Sequence, residues 1–222
     1  DFCLFPTALH LFTGIVIFAI TNADLTVPVY TTYADPDSRG NPAMWGPQLE
    51  KVGDAVIGYF SGAFLILVAV DHFVVATVFK QTYEYYLARG QNPFRWAEYS
   101  VSASVMHVQI ALLSGVMDLH ILIAIFVLTS TTMVFGHFQE VLNCDKQGQP
   151  KEKSLFAFWI GFIPHFGNWG IIMSYFFYSA ANGDPPAFVW AIIFILFILD
   201  ATFAVNQWLQ QREIGKWKTY LY

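Results

Sequence analysis

Long apolar runs separated by short polar segments dominate the chain. Six such runs lie near residues 4–22, 54–79, 95–117, 119–142, 154–180 and 186–211. The hydrocarbon core of a bilayer is about 30 Å thick and is crossed by roughly 20 apolar residues of helix. The runs are continuous, whereas strands of a membrane barrel alternate over about ten residues. The pattern therefore predicts an all-α integral membrane protein with six transmembrane helices.

The connections between the runs are rich in Pro, Gly, Asn and charged residues, which is typical of loops. The third and fourth helices are joined so closely, around residues 117–120, that they are expected to form an antiparallel hairpin. The loop 23–53 is long enough to be an ordered cap on the outer face, and the stretch Asp24–Tyr33 with the Pro-rich residues after it favours a short strand pair there. We expect residues 1–222 to form a single membrane domain.

Composition agrees with a lipid environment. The chain has 222 residues, of which 56% are hydrophobic and only 12% are charged, about half the charged fraction of ordinary soluble proteins. It contains no basic patch for nucleic acid. Cys3 and Cys144 form neither a disulfide framework nor a metal-ligand motif. We expect a multi-pass protein without nucleic-acid partner, metal site, catalytic residues or enzymatic activity, and the sequence does not indicate which membrane holds it.

Orientation follows from the basic residues, since loops rich in Lys and Arg stay in the cytoplasm. With a cytoplasmic N-terminus, the outer loops hold only Arg39 and Lys51. The inner loops and ends then hold nine basic residues: Lys80, Arg89, Arg95, Lys146, Lys151, Lys153, Arg212, Lys216 and Lys218. This bias predicts that both ends of the chain are cytoplasmic.

Ionisable residues within the predicted helices are candidates for function, because each costs at least about 2.5 kcal/mol in lipid. Those in the inner half are His10, Asp71, His72, Glu98, Glu140 and Asp200. His10 and Glu140 are near enough to the boundary to be hydrated, or they belong to a polar cluster. Asp71, His72 and Asp200 lie deeper and favour a buried cluster, which either relays protons or is purely structural. Asp118 and His120, at the outer end, are interpreted as turn residues.

Glu98 is the strongest candidate. Ser102 and Gln109 follow it on one helical face, which predicts a polar stripe directed inward. A carboxylate at this depth must be protonated or matched by a cation, yet all Lys and Arg residues fall in loops or at boundaries. His107 and His165, near mid-membrane, are interpreted as packing residues. The aromatic residues of the fifth and sixth helices either line a flat apolar ligand or face lipid.

Several stretches of the chain resemble the heliorhodopsins, retinal proteins whose membrane orientation is inverted relative to other microbial rhodopsins. The shorter stretches are Leu9-His-Leu11, Leu25-Thr-Val-Pro-Val-Tyr30 and Asp71-His72. The most specific stretches are Arg95-Trp-Ala-Glu-Tyr-Ser-Val-Ser-Ala-Ser-Val-Met106, Phe203-Ala-Val-Asn-Gln-Trp-Leu-Gln210 and Gly215-Lys-Trp-Lys-Thr-Tyr-Leu-Tyr222.

The resemblance implies a rhodopsin-like seven-helix bundle that binds retinal and senses light, commonly as a homodimer. It implies that Glu98 is the counterion of the retinal Schiff base, with Ser102 beside it. His10 and His72 would belong to an inner polar cluster, with Glu140 near it. No family role is implied for Asp200.

The Schiff-base lysine of that family lies in a seventh helix, which would follow the Gly215–Tyr222 segment. Lys216 and Lys218 are not expected to replace it, because both belong to the interfacial connector. We expect the seventh helix, absent from residues 1–222, to exist in the gene product, since Glu98 is retained. The alternative is a retinal-free relative acting as a structural or accessory subunit of a membrane complex, and a small proton-handling carrier is a third hypothesis.

Overall fold

The computed structural model describes residues 4–35, 40–41, 45–143 and 154–212. Its helices are α1 (Leu4–Ile20), α2 (Ile57–Thr77), α3 (Lys80–Leu87), α4 (Pro93–Leu113), α5 (Leu119–Asn143), α6 (Phe156–Asn182) and α7 (Ala187–Gln211). Its strands are β1 (Thr26–Ala34) and β2 (Pro47–Val56). Outside the described residues lie Cys3, Arg39, Cys144, Lys146, Lys151 and Lys153, and the segment 213–222 with Lys216 and Lys218.

Each of the six predicted runs contains a helix. The largest difference is at the end of α4, which was expected to reach residue 117 and ends at Leu113. Gly115 follows with a φ of 94°, a conformation that costs little for a residue without Cβ. The amphipathic α3 was missed, since its residues were interpreted as part of a loop. The single-domain organisation stays a prediction.

Four of the described helices are long and apolar enough to cross a membrane: α2, α5, α6 and α7. Helix α1 is apolar but shorter, and α4 carries the polar stripe around Glu98. The expected count of six spans is therefore not established by length and composition. Large apolar side chains are exposed over the surfaces of α1, α6 and α7, including Phe5, Ile20, Phe156, Ile163, Phe188 and Ile198, as expected for helices facing lipid tails.

The predicted strand pair is confirmed. β1 and β2 pair antiparallel from Thr26 opposite Val56 to Ala34 opposite Pro47, with a register shift between Val29 and Tyr30. The Tyr30 N–H donates to the carbonyl oxygen of Met117 at 2.8 Å, which fastens the hairpin to the turn between α4 and α5. We call this region, β1, β2 and residues 114–120, the hairpin end.

The tight connection after α4 does produce an antiparallel pair, and α5 packs along both α4 and α6. Helices α1 and α2 pack closely because Gly62 has no side chain: a Cβ there would lie 2.6 Å from the Phe18 ring. An apolar core joins the later part of α4 to α5, α6 and α7 and includes Ile110, Ile125, Trp169, Ile172, Phe176 and Ile193. Val27, Val29 and Ala55 of the hairpin pack against it.

Candidate functional site

The first turn of α4 is built to hold a charged pair inside the bundle. Asn92 caps the helix by accepting a hydrogen bond from the Arg95 N–H at 3.1 Å, and Pro93 occupies the first helical position. This geometry directs the Arg95 guanidinium to Glu140 of α5, with which it forms an ion pair. Glu140 also accepts a hydrogen bond from the Asn92 N–H at 2.7 Å.

Of the two alternatives for Glu140, the hydrated boundary position is wrong. Its side chain is 1% exposed and that of Arg95 is 10% exposed, so both groups are buried and depend on each other. Arg95, expected at a solvated boundary, is instead the cation that neutralises Glu140. Burial of both partners makes removal of either costly, because the other charge would remain without compensation.

Glu98 lies one turn further along α4 and is 7% exposed. The hydroxyl of Ser102, which is 2% exposed, favours the ionised form of this carboxyl group. The carboxyl group of Asp71 on α2 has the same sign of charge and opposes ionisation. The Oε1 atom of Glu98 is buried and has no hydrogen-bond partner. Among the described residues, no Lys, Arg or His forms an ion pair with Glu98. The inward polar stripe is observed, and the carboxyl group at its start has no cationic partner among the described residues.

The histidines expected in an inner cluster do lie together. The rings of His10 on α1 and His72 on α2 meet edge to face with centroids 5.9 Å apart. The Nδ1 atom of His72 is buried without a hydrogen-bond partner. Glu140 contacts Asn92 and Arg95 rather than this pair. The residues expected near one inner cluster therefore lie in two separate groups, His10 with His72 and Glu140 with Arg95. Further along the stripe, Gln109 donates to the Ser61 hydroxyl at 2.6 Å.

A cavity of about 270 Å³ lies between α4, α5, α6 and α7. Its walls include six aromatic side chains, those of Trp96, Tyr99, Phe135, Phe158, Phe162 and Phe203. Gly136 on α5 leaves room for Trp96, since a Cβ there would come within 2.2 Å of the ring. The aromatic residues of α6 and α7 thus divide: Phe158 and Phe162 line the cavity, whereas Phe156, Trp159 and Phe188 are exposed.

His107 and His165 do more than pack. Both approach the carboxylate of Asp200 on α7, at 3.4 Å and 3.5 Å, and Trp169 donates its indole N–H to the same oxygen at 2.6 Å. His165 and Asp200 also line the cavity. Sequence reasoning found each residue separately but not the cluster, because its members come from three helices. An intramembrane Asp on α7 and two mid-membrane His residues were the available signal.

Asp118 and His120 are turn residues, as expected. Asp118 precedes α5 and accepts hydrogen bonds from the N–H groups of His120 and Ile121 at 2.9 and 3.1 Å, which is helix N-capping. Thr32 of β1 donates to its other oxygen at 2.7 Å. Burial is the largest single influence on the pKa of Asp118 and raises it, but the hydrogen bonds from Thr32, Ile121 and His120 together lower it more, so the pKa lies below its usual value.

Comparison with known proteins gives one family. The family model for heliorhodopsin matches residues 1–222, and no match was found among curated proteins. The match spans the polar stripe of α4, the aromatic cavity and the four apolar helices that identify an integral multi-pass membrane protein. The chain belongs to the heliorhodopsin family.

Proposed function

We propose that this protein is a retinal-binding light sensor in which Glu98 neutralises the positive end of the chromophore. The observation that carries the proposal is the buried Oε1 atom of Glu98, which has no hydrogen-bond partner. A buried carboxylate without a cation is strongly disfavoured in a low-dielectric interior. A cationic ligand group beside Glu98 and Ser102 would remove that cost.

The residues present fit retinal. When bound, retinal supplies visible absorption, light-driven isomerisation and a positively charged imine nitrogen. Trp96, Tyr99, Phe162 and Phe203 would hold its flat apolar chain, since aromatic walls favour such ligands. Tyr99 lines the cavity and follows Glu98 directly in the chain, so the apolar walls and the counterion belong to the same turn of α4. The described lysines, Lys51 on β2 and Lys80 at the start of α3, are not assigned the covalent link.

We further propose that α1 and α4 also cross the membrane, giving six spans in this chain, with the hairpin end outside. The buried polar stripe explains why α4 is less apolar than its neighbours: its polar residues face protein rather than lipid. Of the described basic residues, Lys80, Arg89, Arg95 and Arg212 lie toward the end opposite the hairpin, and Lys51 lies on the hairpin itself. This distribution supports a cytoplasmic N-terminus.

A homodimer is the proposed assembly, as the family resemblance implies. The measurement is the mass of the detergent-solubilised protein by light scattering, corrected for bound detergent. A mass of one chain would reject the dimer, and a stable heteromeric complex would favour the accessory-subunit hypothesis.

The test of retinal binding is the visible spectrum of the full-length protein after incubation with all-trans retinal. We expect a visible band that hydroxylamine bleaches. Glu98→Gln should shift this band strongly to the red, because the counterion charge stabilises the cationic ground state. Glu84→Gln is the matched control, since Glu84 lies on α3, outside the bundle interior, and it should leave the band in place.

Two outcomes would contradict the proposal at different points. A protein that stays colourless with retinal present would reject retinal binding and favour a retinal-free accessory subunit. A coloured protein whose band does not move in Glu98→Gln would retain retinal but reject Glu98 as the counterion.

A further inference from the structure

Four side chains from three helices converge in the middle of the bundle, away from Glu98. They are His107 of α4, His165 and Trp169 of α6, and Asp200 of α7. The side chains of His107 and Asp200 are 2% and 8% exposed, and that of His165 is 15% exposed. All three polar contacts are made to the same carboxylate oxygen, Oδ2 of Asp200.

The hydrogen bonds of His107 fix one of its ring protons. Its Nδ1 atom lies 2.8 Å from the carbonyl oxygen of Ala103, one turn earlier on α4. A carbonyl oxygen only accepts hydrogen bonds, so Nδ1 carries a hydrogen and donates it. In a neutral ring, Nε2 would then be without hydrogen.

The remaining nitrogen faces the carboxylate. Nε2 of His107 is buried, has no hydrogen-bond partner, and lies 3.4 Å from Oδ2 of Asp200. Without a hydrogen, Nε2 would present its lone pair to an anionic oxygen, which is repulsive in a low-dielectric interior. A proton on Nε2 converts this contact into an attractive ion pair.

The neighbours of Asp200 indicate where that proton resides. Trp169 donates its N–H to Oδ2 at 2.6 Å, and such a hydrogen bond is stronger when the acceptor is ionised. His165 adds a second ring nitrogen at 3.5 Å. The Trp169 hydrogen bond therefore favours the carboxylate form of Asp200, so the proton belongs on His107.

We propose that His107 and Asp200 form a proton-binding site within the membrane, with His107 as an imidazolium and Asp200 as its carboxylate partner. Trp169 and His165 hold the carboxylate in place. The site borders the aromatic cavity, because Asp200 and His165 form part of the cavity wall. The other charged residue on that wall is Arg95, which is already paired with Glu140. This inference does not require retinal.

The test is nitrogen-15 NMR of the histidine-labelled protein in lipid at neutral pH, with His107→Gln used to assign the signal. We expect both ring nitrogens of His107 to be protonated. Asp200→Asn should abolish this signature and leave a neutral ring with one protonated nitrogen. Asp71→Asn is the matched control, since it changes the carboxylate of another helix, and it should leave the His107 signal unchanged.

A neutral His107 in the unmodified protein would overturn the proposal. This result does not depend on whether the Asp200→Asn variant folds. An imidazolium that persists in folded Asp200→Asn would show that Asp200 is not its partner. The infrared spectrum provides an independent check: a protonated-carboxyl band that disappears in Asp200→Asn would place the proton on Asp200 and overturn the assignment to His107.

Discussion

Aspartate and histidine meet at two places in this molecule, with opposite physical consequences. At the hairpin end, Asp118 and His120 contact Thr32 and Thr31 of β1 in exposed positions. In the bundle interior, Asp200 contacts His107 and His165 with little access to water. The exposed pair can exchange its protein partners for solvent, whereas the interior group cannot. Burial, rather than residue type, therefore sets what each polar contact contributes.

The largest effect is expected at the interior pair of Arg95 and Glu140. Arg95→Met should lower the free energy of unfolding by about 3–5 kcal/mol, because it leaves a buried carboxylate without its cation. Thermal unfolding in detergent measures this change. The double variant Arg95→Met with Glu140→Gln removes both charges and should be more stable than the single variant. A single variant as stable as the unmodified protein would contradict the burial argument.

Replacing the buried, uncharged Gln139 should lower the free energy of unfolding by an intermediate amount. Gln139, which is 0% exposed, accepts from the Phe158 N–H at 2.8 Å and donates to the Ser154 carbonyl oxygen at 2.5 Å. Gln139→Leu leaves the Phe158 N–H without its partner, whereas the Ser154 carbonyl oxygen still accepts from the Asn143 side-chain amide at 2.9 Å. The loss should cost about 1–3 kcal/mol in unfolding free energy. Gln48→Leu, on the exposed hairpin, is the control and should change stability little. Equal losses of unfolding free energy in Gln139→Leu and Gln48→Leu would contradict the claim that burial sets the contribution of a polar group.

Asp118→Ala should cost less, about 1 kcal/mol at neutral pH, through loss of the α5 cap. Asp118→Asn keeps the cap oxygen and should lose less. Because the pKa of Asp118 is lower in the folded protein, its charge stabilises the fold above the unfolded pKa of about 3.9, and this contribution is lost as pH falls through the lower folded value. The stability difference between the unmodified protein and Asp118→Asn should shrink on acidification, and a difference that grows would contradict the assignment.

The smallest effect is expected for Lys51, which pairs with Asp54 at 2.8 Å on the exposed face of β2. Both side chains are roughly half exposed, and the pair is screened by water and salt. Lys51→Ala should leave the unfolding temperature unchanged within error at physiological ionic strength. A clear loss there would mean that the hairpin end is more shielded from water than its exposure indicates.

Much of the fold could be read from the chain. Continuous apolar runs predicted the positions of six helices, because a segment facing lipid must be apolar along its length and must satisfy its own backbone hydrogen bonds. The length of the loop 23–53 and the stretch 24–33 with the Pro-rich residues after it predicted the strand pair. Helix α3 was missed because its eight residues are polar on one face and too short to carry a membrane signal. The interior position of Glu98 and Ser102 followed from their spacing on one helix.

By itself, the sequence determined the membrane class, six of the seven described helices, the strand pair and the family, since these depend on local hydrophobicity and on ordered motifs. Only the tertiary structure decided that Arg95 neutralises Glu140, that Glu140 is separate from His10 and His72, and that His107, His165 and Asp200 meet. Those contacts join residues more than 30 positions apart on different helices. The rotation of each helix about its own axis brings them together, and that rotation is fixed by packing against neighbours rather than by any local pattern.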